Sequence, residues 1–454
     1  MRVGLDFGTT NSGVAHYDGR TLRVFRVDPR SRDPQTVKSL LYITRDQESF
    51  IGQAAIDLYF TQNLGRPIRL VRKPVGIIEN YFAEVGRVVK EVHALIDANM
   101  PGRLFQSLKS ALPQHTYEGT SVFDEYYPLE ELVALVLRRI RHRAEDLCGR
   151  PIRQVVVGRP VRFDPDPERD RLAQERLEQA AYLAGFQEVD FELEPVAAAL
   201  HYELGLDRVE NALVFDFGGG TLDVTVMRLG DRGNRQVLAT SGVRIGGDLF
   251  DERIVRARML RHFGYGSAYG KDKRLPVPVY IFEALAQWQA IPTLFTLPTM
   301  RLIQQALVTS DQPQQLRALY TLISKNYGFK MFQEVERAKC DLSDREEAAV
   351  RLMDEDMRIL EPLTREQFET MIAADVARAE QCVEEAVTAS GLEPGEMDVV
   401  LATGGSSAIP IFQRMLERKF GAGKVQEHNL FAGVTQGLAV AAYYRDQLEK
   451  VIHP

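Results

Sequence analysis

Apolar residues along this chain follow two patterns, short continuous runs and longer stretches with the period of a helix. The runs at 154–158 (QVVVG) and 398–402 (DVVLA) predict buried strands. Residues 128–148 place apolar and charged side chains on opposite helical faces, with Pro128 at the start, and predict an amphipathic helix. Strands and helices that alternate in this way are typical of a mostly parallel sheet covered by helices, so the sequence predicts an α/β fold.

Hydrophobic periodicity predicts further elements in both halves of the chain. Residues 2–30 read as two or three strands, and a hairpin is predicted at 212–228 with another strand near 236–241. Residues 264–300 are rich in Gly and Pro and give no clear assignment. Helices are predicted at about 79–99, 167–183, 301–309, 313–341, 365–390 and 434–448. Two further helices are predicted, one that follows from residues 191–200 and one that begins at residues 245–251.

One short motif occurs twice, about 210 residues apart. Residues 4–13 read GLDFGTTNSG, and residues 214–223 read VFDFGGGTLD. Each copy consists of an apolar strand, an aspartate, a glycine-rich turn with threonine, and the start of a second strand. Because the surrounding plan of strands and helices also repeats, the sequence predicts two equivalent lobes.

The residue types of this motif suit a polyphosphate and a divalent cation. Glycine lets the backbone approach a ligand closely, and successive N–H groups in such a turn form a concavity that binds anions. Asp6 and Asp216 would repel a phosphate, so carboxylates at these positions indicate a magnesium ion between them and the ligand. One copy alone is equally typical of a tight hairpin with a solvated aspartate, whereas two copies favour the polyphosphate.

The composition limits the classes of function. A chain of 454 residues is too long for one simple core, so two or more domains are expected. The net charge of −7 argues against binding to nucleic acid or to an acidic membrane. The three cysteines, Cys148, Cys340 and Cys382, show no metal-ligand spacing and fit a reducing compartment. No signal segment or membrane-length apolar run is recognised, so a cytoplasmic location is expected.

Six motifs follow one another between residue 3 and about residue 445. They are residues 4–13, 157–163 (VGRPVRF), 194–199 (EPVAAA), 214–223, 336–343 (ERAKCDLS) and 403–410 (TGGSSAIP). In this order they resemble the actin, sugar-kinase and heat-shock ATPase superfamily, and within it the nucleotide-binding domain of the DnaK-type heat shock protein 70 family. Each motif alone is a weak signal, but six in family order are a strong one.

The resemblance implies an α/β fold, the two-lobed actin-like ATPase fold with duplicated ribonuclease-H-like subdomains and inserted subdomains. Lobe I is expected at residues 1–194, with an insertion at about 31–125, and lobe II at residues 195–454, with an insertion at about 252–372. Only 17 residues follow Gly437, so no peptide-binding domain is expected. A stand-alone ATPase domain of this kind is similar to the YegD group of heat-shock-70-like proteins.

The resemblance also implies roles for individual residues, with ATP or ADP, Mg²⁺ and K⁺ as cofactors. Lys109 would orient the phosphate and the attacking water, unless it is an ordinary surface lysine, and Asp223 would position or deprotonate that water. Asp6 and Asp216 would hold hydrated magnesium, and Glu194 would contact its water shell. Contacts to the phosphates, ribose and base would come from Gly8, Thr9, Thr10, Asn11, Gly218, Gly219, Gly220, Thr221, Gly246, Gly247, Glu336, Lys339, Ser343, Gly404, Gly405, Ser406 and Ser407.

The chain departs from the family pattern at several positions. Cys340 and Ala408 stand where the family usually has two arginines that sandwich adenine, so weak selectivity for the base is expected. Phe431 replaces the usual acidic residue of the last family element. Arg171 and Arg176 are near the position of the family's relay arginine but not in register with it, so coupling to a second domain is expected to be altered or absent.

Three classes of function stay open. The resemblance favours a slow ATPase module of the chaperone type, with a client or co-chaperone protein as partner. A small-molecule kinase of the same superfamily could use Asp216 or Asp223 as base, although the ERAK motif argues against it. An actin-like filament protein or a non-catalytic nucleotide binder would share the two loops. The aromatic segment 275–298, with Trp288, is either a covering loop or a surface that docks a partner.

Overall fold

A computed structural model describes residues 1–66, 68–82, 86–230, 235–427 and 433–452 of the chain. For residues 70, 72–82, 86–96, 427 and 447–452 it describes the backbone alone. Phe431, one of the departures from the family pattern, lies outside the described residues.

The first sheet is built around the strand that carries Asp6. This strand pairs antiparallel with its successor, where Asp6 lies opposite Gly13, and parallel with the strand that contains Val157. The sheet therefore has antiparallel neighbours on one side of the central strand and parallel neighbours on the other. In spatial order its strands are Glu188–Leu193, Gln154–Arg159, Arg2–Phe7, Asn11–Tyr17 and Leu22–Val24, and Val37–Lys38 also pairs with Asn11–Tyr17.

The second sheet repeats this arrangement around the strand that carries Asp216. Here Asp216 lies opposite Asp223 in the antiparallel pair and beside Thr403 in the parallel pair. Both central strands end one residue after the aspartate, so both place a carboxylate at the same edge of their sheet. The repeat predicted from the sequence is confirmed. In spatial order the strands are Gln236–Val243, Leu222–Leu229, Glu210–Phe217, Val399–Thr403 and Val425–Glu427.

Smaller sheets lie in the segments inserted between these strands. The helix predicted at 79–99 is wrong, because the backbone forms an antiparallel hairpin there. Its β-branched and aromatic residues favour a strand once a partner strand is present, and the strand Leu70–Phe82 supplies that partner. The small sheets comprise Leu40–Thr44 with Ser49–Ile51 and Gly102–Gln106, Leu70–Phe82 with Gly86–Asp97, Gly119–Val122 with Glu125–Pro128, Ala268–Tyr269 with Leu275–Pro276, and Glu347–Asp354 with Met357–Thr364.

The helices cover the sheets and fill the second insertion. The predicted helix 313–341 is two helices, separated where Asn326 takes a left-handed φ of 58°, and the helix predicted at 365–390 is interrupted at Ile372. The α-helices are Gly52–Asn63, Leu108–Ala111, Leu129–Cys148, Pro167–Leu183, Glu194–Glu203, Gly247–Ile254, Val279–Leu285, Leu297–Thr309, Pro313–Ser324, Gly328–Asp344, Arg365–Met371, Ala373–Ser390, Pro410–Phe420 and Gly433–Ile452. A π-helical turn covers Val255–Met259, and 3₁₀ turns cover Leu260–Phe263, Ile291–Leu294, Pro394–Glu396, Gly405–Ala408 and Ala422–Lys424.

Four buried apolar clusters lie among the described residues, and the smallest comprises Leu40, Ile56 and Phe329. One lies on the first sheet and one on the second. The third lies between them and includes Val156 of the first sheet, Val214 of the second and Leu438 of the last helix. The two sheets are thus connected at one end by a shared core, and the cleft described below lies between them.

The last helix, Gly433–Ile452, packs directly against the backbone of helix Glu194–Glu203. A Cβ atom on Gly437 would lie 1.5 Å from the carbonyl oxygen of Ala197. Glycine is required there because any side chain would push the last helix away from helix Glu194–Glu203. This close contact fixes the position of the helix whose first residue, Glu194, points into the cleft.

Candidate active site

The loops that follow the two central strands face each other across one cleft. The first comprises residues 8–10 and the second residues 218–221. A Cβ atom on Gly219 would lie 2.0 Å from the Thr10 Oγ1 atom. The loops approach this closely only because the second has glycine where a larger residue would collide with the first.

The cleft has a volume of about 420 Å³ and is lined from both lobes. Two predicted site residues lie behind its wall. A Cβ atom on Gly246 would lie 2.3 Å from the Gly219 carbonyl oxygen, and the Ser407 hydroxyl donates to the Gly404 carbonyl oxygen at 2.7 Å. The predicted site residues that line the cleft are Asp6, Gly8, Thr9, Thr10, Asn11, Lys109, Glu194, Asp216, Gly218, Gly219, Gly220, Thr221, Asp223, Gly247, Glu336, Lys339, Ser343, Gly404, Gly405 and Ser406.

Lys109 and Glu194 form an ion pair inside the cleft. The Lys109 Nζ atom lies 2.6 Å from the Glu194 Oε1 atom, and the two side chains are only 10% and 13% exposed. Burial opposes the charge of Lys109, but Glu194, Asp6 and Asp216 outweigh it and raise the pKa of the lysine. Lys109 is therefore a charged cleft residue and not an ordinary surface lysine.

Burial raises the pKa of the carboxyl groups beside this pair. The pKa of Asp6 rises to about 7, first through burial and then through Glu194, against the effect of Lys109. The pKa of Asp216 rises well above its usual value through burial and the carboxylates around it, and that of Asp223 rises to about 6 through burial and Glu194. One lysine does not balance four carboxylates, so this group favours a bound proton or cation.

The donor set fits a hydrated magnesium ion. Magnesium prefers oxygen ligands, keeps several waters and binds through one or two carboxylates together with phosphates. Within the described ranges, no three His, Cys, Asp or Glu side chains lie close enough to hold a metal ion directly. Asp6, Glu194 and Asp216 line the cleft and offer carboxylate oxygens of the kind that such an ion prefers. The Thr10 Oγ1 atom is buried without a hydrogen-bond partner among the described residues, which leaves a polar group for a ligand oxygen.

A second charged group surrounds Lys339. The Lys339 Nζ atom lies 2.9 Å from the Asp251 Oδ1 atom and donates to the Gly247 carbonyl oxygen at 2.7 Å. Burial raises the pKa of Asp251 to about 7 and that of Asp248 to about 6, and Lys339 opposes both shifts. Sequence reasoning missed both aspartates as site residues, although two acids spaced one helical turn apart after a glycine pair were a usable signal.

The turn at residues 246–248 supports the second loop. The Gly247 amide donates to the Gly218 carbonyl oxygen at 3.2 Å, and the Asp248 amide donates to the Gly219 carbonyl oxygen at 2.9 Å. These amides hold the loop in place and are already used. Free amides for a phosphate would have to come from the loops themselves.

Glu336 pairs with a lysine from the other lobe. The Lys38 Nζ atom lies 2.5 Å from the Glu336 Oε1 atom, with Lys38 on strand Val37–Lys38 and Glu336 on helix Gly328–Asp344. Burial by itself would raise the pKa of Glu336, but Lys38 and Lys339 lower it. Sequence reasoning missed Lys38, because no local motif marks a residue whose partner is so distant in the chain.

The residues that depart from the family pattern differ in burial and in whether they line the cleft. Cys340 lines the cleft, whereas Ala408 does not belong to its lining and the following residue, Ile409, does. Arg176 is buried, and its Nε atom lies 3.1 Å from the Glu130 carboxylate. Arg171 is exposed and lies 3.7 Å from Glu175 on the same helix.

Comparison with known proteins decides the family. The model of the family described as "Hsp70 protein" matches residues 2–274 and 323–447. The chain belongs to the Hsp70 family. Membership confirms the predicted two-lobed, actin-like ATPase fold, in agreement with the two sheets of equal strand order. Residues 275–322, which hold Trp288 and several short helices, interrupt the match to the Hsp70 model.

Curated relatives of this Hsp70 protein are chaperones named dnaK. The chain is 28% identical to that of Cyanidioschyzon merolae over 449 residues, 97% of this chain and 61% of the relative. It is 28% identical to that of Trieres chinensis over 422 residues, 91% of this chain and 56% of the relative. The chain thus spans about 60% of the length of the relatives it matches. Among the described helices, none has the length and apolar composition needed to cross a membrane.

Proposed function

We propose that this protein is an ATPase module that binds ATP and Mg²⁺ in the interlobe cleft and couples hydrolysis to opening and closing of the lobes. The observation that supports this proposal most directly is the ion pair of Lys109 with Glu194, in which the Nζ and Oε1 atoms lie 2.6 Å apart. The carboxylates of Asp6 and Asp216 lie close enough to raise the pKa of this lysine. Membership of the Hsp70 family supports ATPase chemistry in general. The contact between the two loops supports a ligand that both lobes bind.

The proposed hydrolysis depends on positioning and charge compensation. The oxygen of a water molecule attacks the γ-phosphorus, the bond from that phosphorus to the bridging oxygen breaks, and ADP leaves with the electron pair. Lys109 orients the phosphate and the water, and Asp223 accepts the proton, for which a pKa of about 6 suits neutral pH. When bound, Mg²⁺ supplies positive charge to the phosphates.

The proposed lobe motion would break contacts that bridge the cleft mouth. Besides the Lys38–Glu336 pair, an aromatic contact joins the two insertions, with the rings of Tyr59 and Phe329 5.2 Å apart. Bound nucleotide would hold the lobes together by contacting both, and its release would need both contacts to open.

The proposal also covers several further assignments. They include the lobe boundaries at residues 1–194 and 195–454, K⁺ as a further cofactor, membership of the YegD group, a cytoplasmic location and a client or co-chaperone as partner. The segment that the family model does not match supports a protein partner, because the side chains of Val279, Tyr280 and Val308 are 59%, 52% and 81% exposed there.

Calorimetric titration with ATP and GTP, with and without Mg²⁺, followed by phosphate-release assays, tests the proposal. We expect magnesium-dependent binding of ATP and release of phosphate without any added acceptor. Phosphate transfer that strictly requires a sugar or acid would instead support a kinase. Binding without turnover, together with nucleotide-dependent sedimentation, would support a filament protein.

A further inference from the structure

Two arginines line the cleft although neither is among the predicted site residues. Arg162 follows strand Gln154–Arg159 of the first lobe, and Arg244 follows strand Gln236–Val243 of the second. The two lobes therefore each contribute one guanidinium group to the same cleft.

The strand before each arginine ends beside a carboxylate of the proposed hydrolytic site. A Cβ atom on Gly242, two positions before Arg244, would lie 2.9 Å from the Asp223 Oδ1 atom. On the other lobe a Cβ atom on Gly158 would lie 3.1 Å from the Glu194 Cγ atom. The segments that carry the two arginines thus leave their sheets beside Asp223 and Glu194.

The charged groups of the cleft fall into two neighbourhoods. Burial is the main cause that raises the pKa of Asp223 and of Asp248; the charged groups that come next are Glu194 and Lys109 for Asp223, and Lys339 and Glu336 for Asp248. The strands that precede the two arginines end beside the first neighbourhood. It corresponds to the phosphate end of the proposed nucleotide site.

Among the described residues, no carboxylate that lines the cleft pairs with either arginine. Arg162 is exposed and has no hydrogen bond or ion pair with the residues that the structure describes. Arg244 forms one ion pair across the cleft, with its Nη2 atom 2.9 Å from the Asp164 Oδ2 atom, and its side chain is 69% exposed. Both guanidinium groups therefore keep donors for an anion.

We propose that Arg162 and Arg244 form an oxyanion subsite that holds inorganic phosphate between hydrolysis of ATP and release of ADP. The proposal rests on the ATPase function proposed above. Guanidinium groups bind phosphate through paired hydrogen bonds, and a phosphate between these two arginines would join the lobes. Asp164 competes with the phosphate for Arg244, so it weakens the subsite.

Retained phosphate has a mechanical consequence. An anion bound to one arginine of each lobe adds a contact that must break before the cleft opens. The subsite therefore slows release of ADP and prolongs the closed state after hydrolysis.

The test measures release of a fluorescent ADP analogue from the Mg²⁺-loaded protein at rising inorganic phosphate, with ionic strength held constant by sodium chloride. In the wild type we expect phosphate to slow release about fivefold or more, the lower end of usual coupling between two ligands. Arg162→Ala and Arg244→Ala should each remove most of this effect, relative to their own rates without phosphate. Arg171→Ala, an exposed arginine nearby in sequence, is the matched control and should keep the effect.

For Asp164→Asn we expect a stronger effect of phosphate, because this substitution removes the ion-pair partner of Arg244. Phosphate should then slow release at lower concentrations than in the wild type. A wild type that binds the ADP analogue but ignores phosphate overturns the subsite and leaves the ATPase proposal standing. A wild type that binds no nucleotide overturns the ATPase proposal and the subsite with it.

Discussion

The Lys38 Nζ atom lies 2.5 Å from the Glu336 carboxylate and joins the two lobes across the mouth of the cleft. A second interlobe pair, Asp164 with Arg244, lies 2.9 Å apart at another part of the same cleft. A nucleotide between the lobes would therefore be enclosed by ion pairs as well as by the loops. These pairs are partly exposed, so each contributes modestly and can open without unfolding either lobe.

Removing the Lys38–Glu336 pair should speed nucleotide release. We expect Lys38→Met to accelerate ADP release about two- to fivefold, which corresponds to the 0.4–1 kcal/mol of a partly exposed pair. Stopped-flow release of a fluorescent ADP analogue measures this effect. Lys271→Met, an exposed lysine in a loop, is the control. Equal release rates for wild type and Lys38→Met would show that the pair does not restrain the cleft.

Loss of Lys109 should abolish turnover while the fold persists. Among the residues that the structure describes, Lys109 is the only cation that contacts Glu194. We therefore expect Lys109→Ala to lower phosphate release about a hundredfold or more. Asp216→Asn should also abolish turnover, yet it replaces a carboxyl group whose ionisation burial and the neighbouring carboxylates oppose, so it should not lower stability without nucleotide. Phosphate-release assays and thermal unfolding separate the two effects. Wild-type rates in either variant would contradict the assigned roles.

Much of the site was predictable because its signals are local. The strand, aspartate, glycine turn and second strand lie within ten residues of one another, and both copies form as predicted. The contacts that complete the site are not local. Lys38 meets Glu336, and Thr10 meets Gly219, only after the two sheets have come together around a shared core.

The missed elements share a related cause. In hairpin Glu347–Asp354 and Met357–Thr364, the buried positions of the second strand alternate with exposed ones, but one of them is Glu361. A glutamate is not expected on the buried face of a strand, so the alternation in the sequence does not predict this strand. Glu361 is tolerated because Arg258 and Arg261 contact its carboxylate at 2.6 and 2.5 Å, and neither partner is near it in sequence.

Without nucleotide, stability should fall as pH rises through neutrality. Burial raises the pKa of Asp251 from 3.8 to about 7, so the folded state binds its proton more tightly than the unfolded state does. Its stabilising contribution is full below the unfolded pKa near 4 and is lost as pH rises through about 7. Asp6 has a shift of the same sign, so Asp251→Asn should reduce the slope and not remove it.

Thermal unfolding between about pH 5 and pH 8 measures this dependence. Asp46→Asn, an exposed turn residue, is the control and should follow the wild-type curve. Addition of Mg²⁺ and ADP should reduce the slope of the wild-type curve, because a bound cation offsets the charge of Asp6 and Asp216 at every pH. A wild-type curve that rises with pH over this range would contradict the raised pKa values.

The base of the nucleotide should be selected weakly. Cys340 lines the cleft where the family usually has a stacking arginine, so the wild type should bind ATP and GTP with similar affinity. Cys340→Arg should raise ATP affinity about fivefold, because one stacked cation contributes about 1 kcal/mol. Calorimetry with both nucleotides measures this, with Cys340→Ser as control. Tight ATP binding with GTP excluded in the wild type would contradict the interpretation.

Trp288 should report lobe closure, because it is the only tryptophan in the chain. Its ring lies 5.5 Å from that of Phe329, and Phe329 in turn lies 5.6 Å from Phe60 of the other lobe. The Trp288 Nε1 atom is buried without a hydrogen-bond partner among the described residues. Opening of the lobes would admit water to this indole and shift its emission to longer wavelength.

Titration of nucleotide-free protein with Mg²⁺ and ADP should therefore shift the Trp288 emission to shorter wavelength. Phe60→Ala removes an aromatic contact between the two lobes, so it should reduce the shift while nucleotide still binds. Tyr182→Ala, an aromatic residue that is 46% exposed on helix Pro167–Leu183, is the matched control and should keep the shift. An emission spectrum that stays the same while calorimetry shows nucleotide binding would mean that the insertions do not move with the lobes.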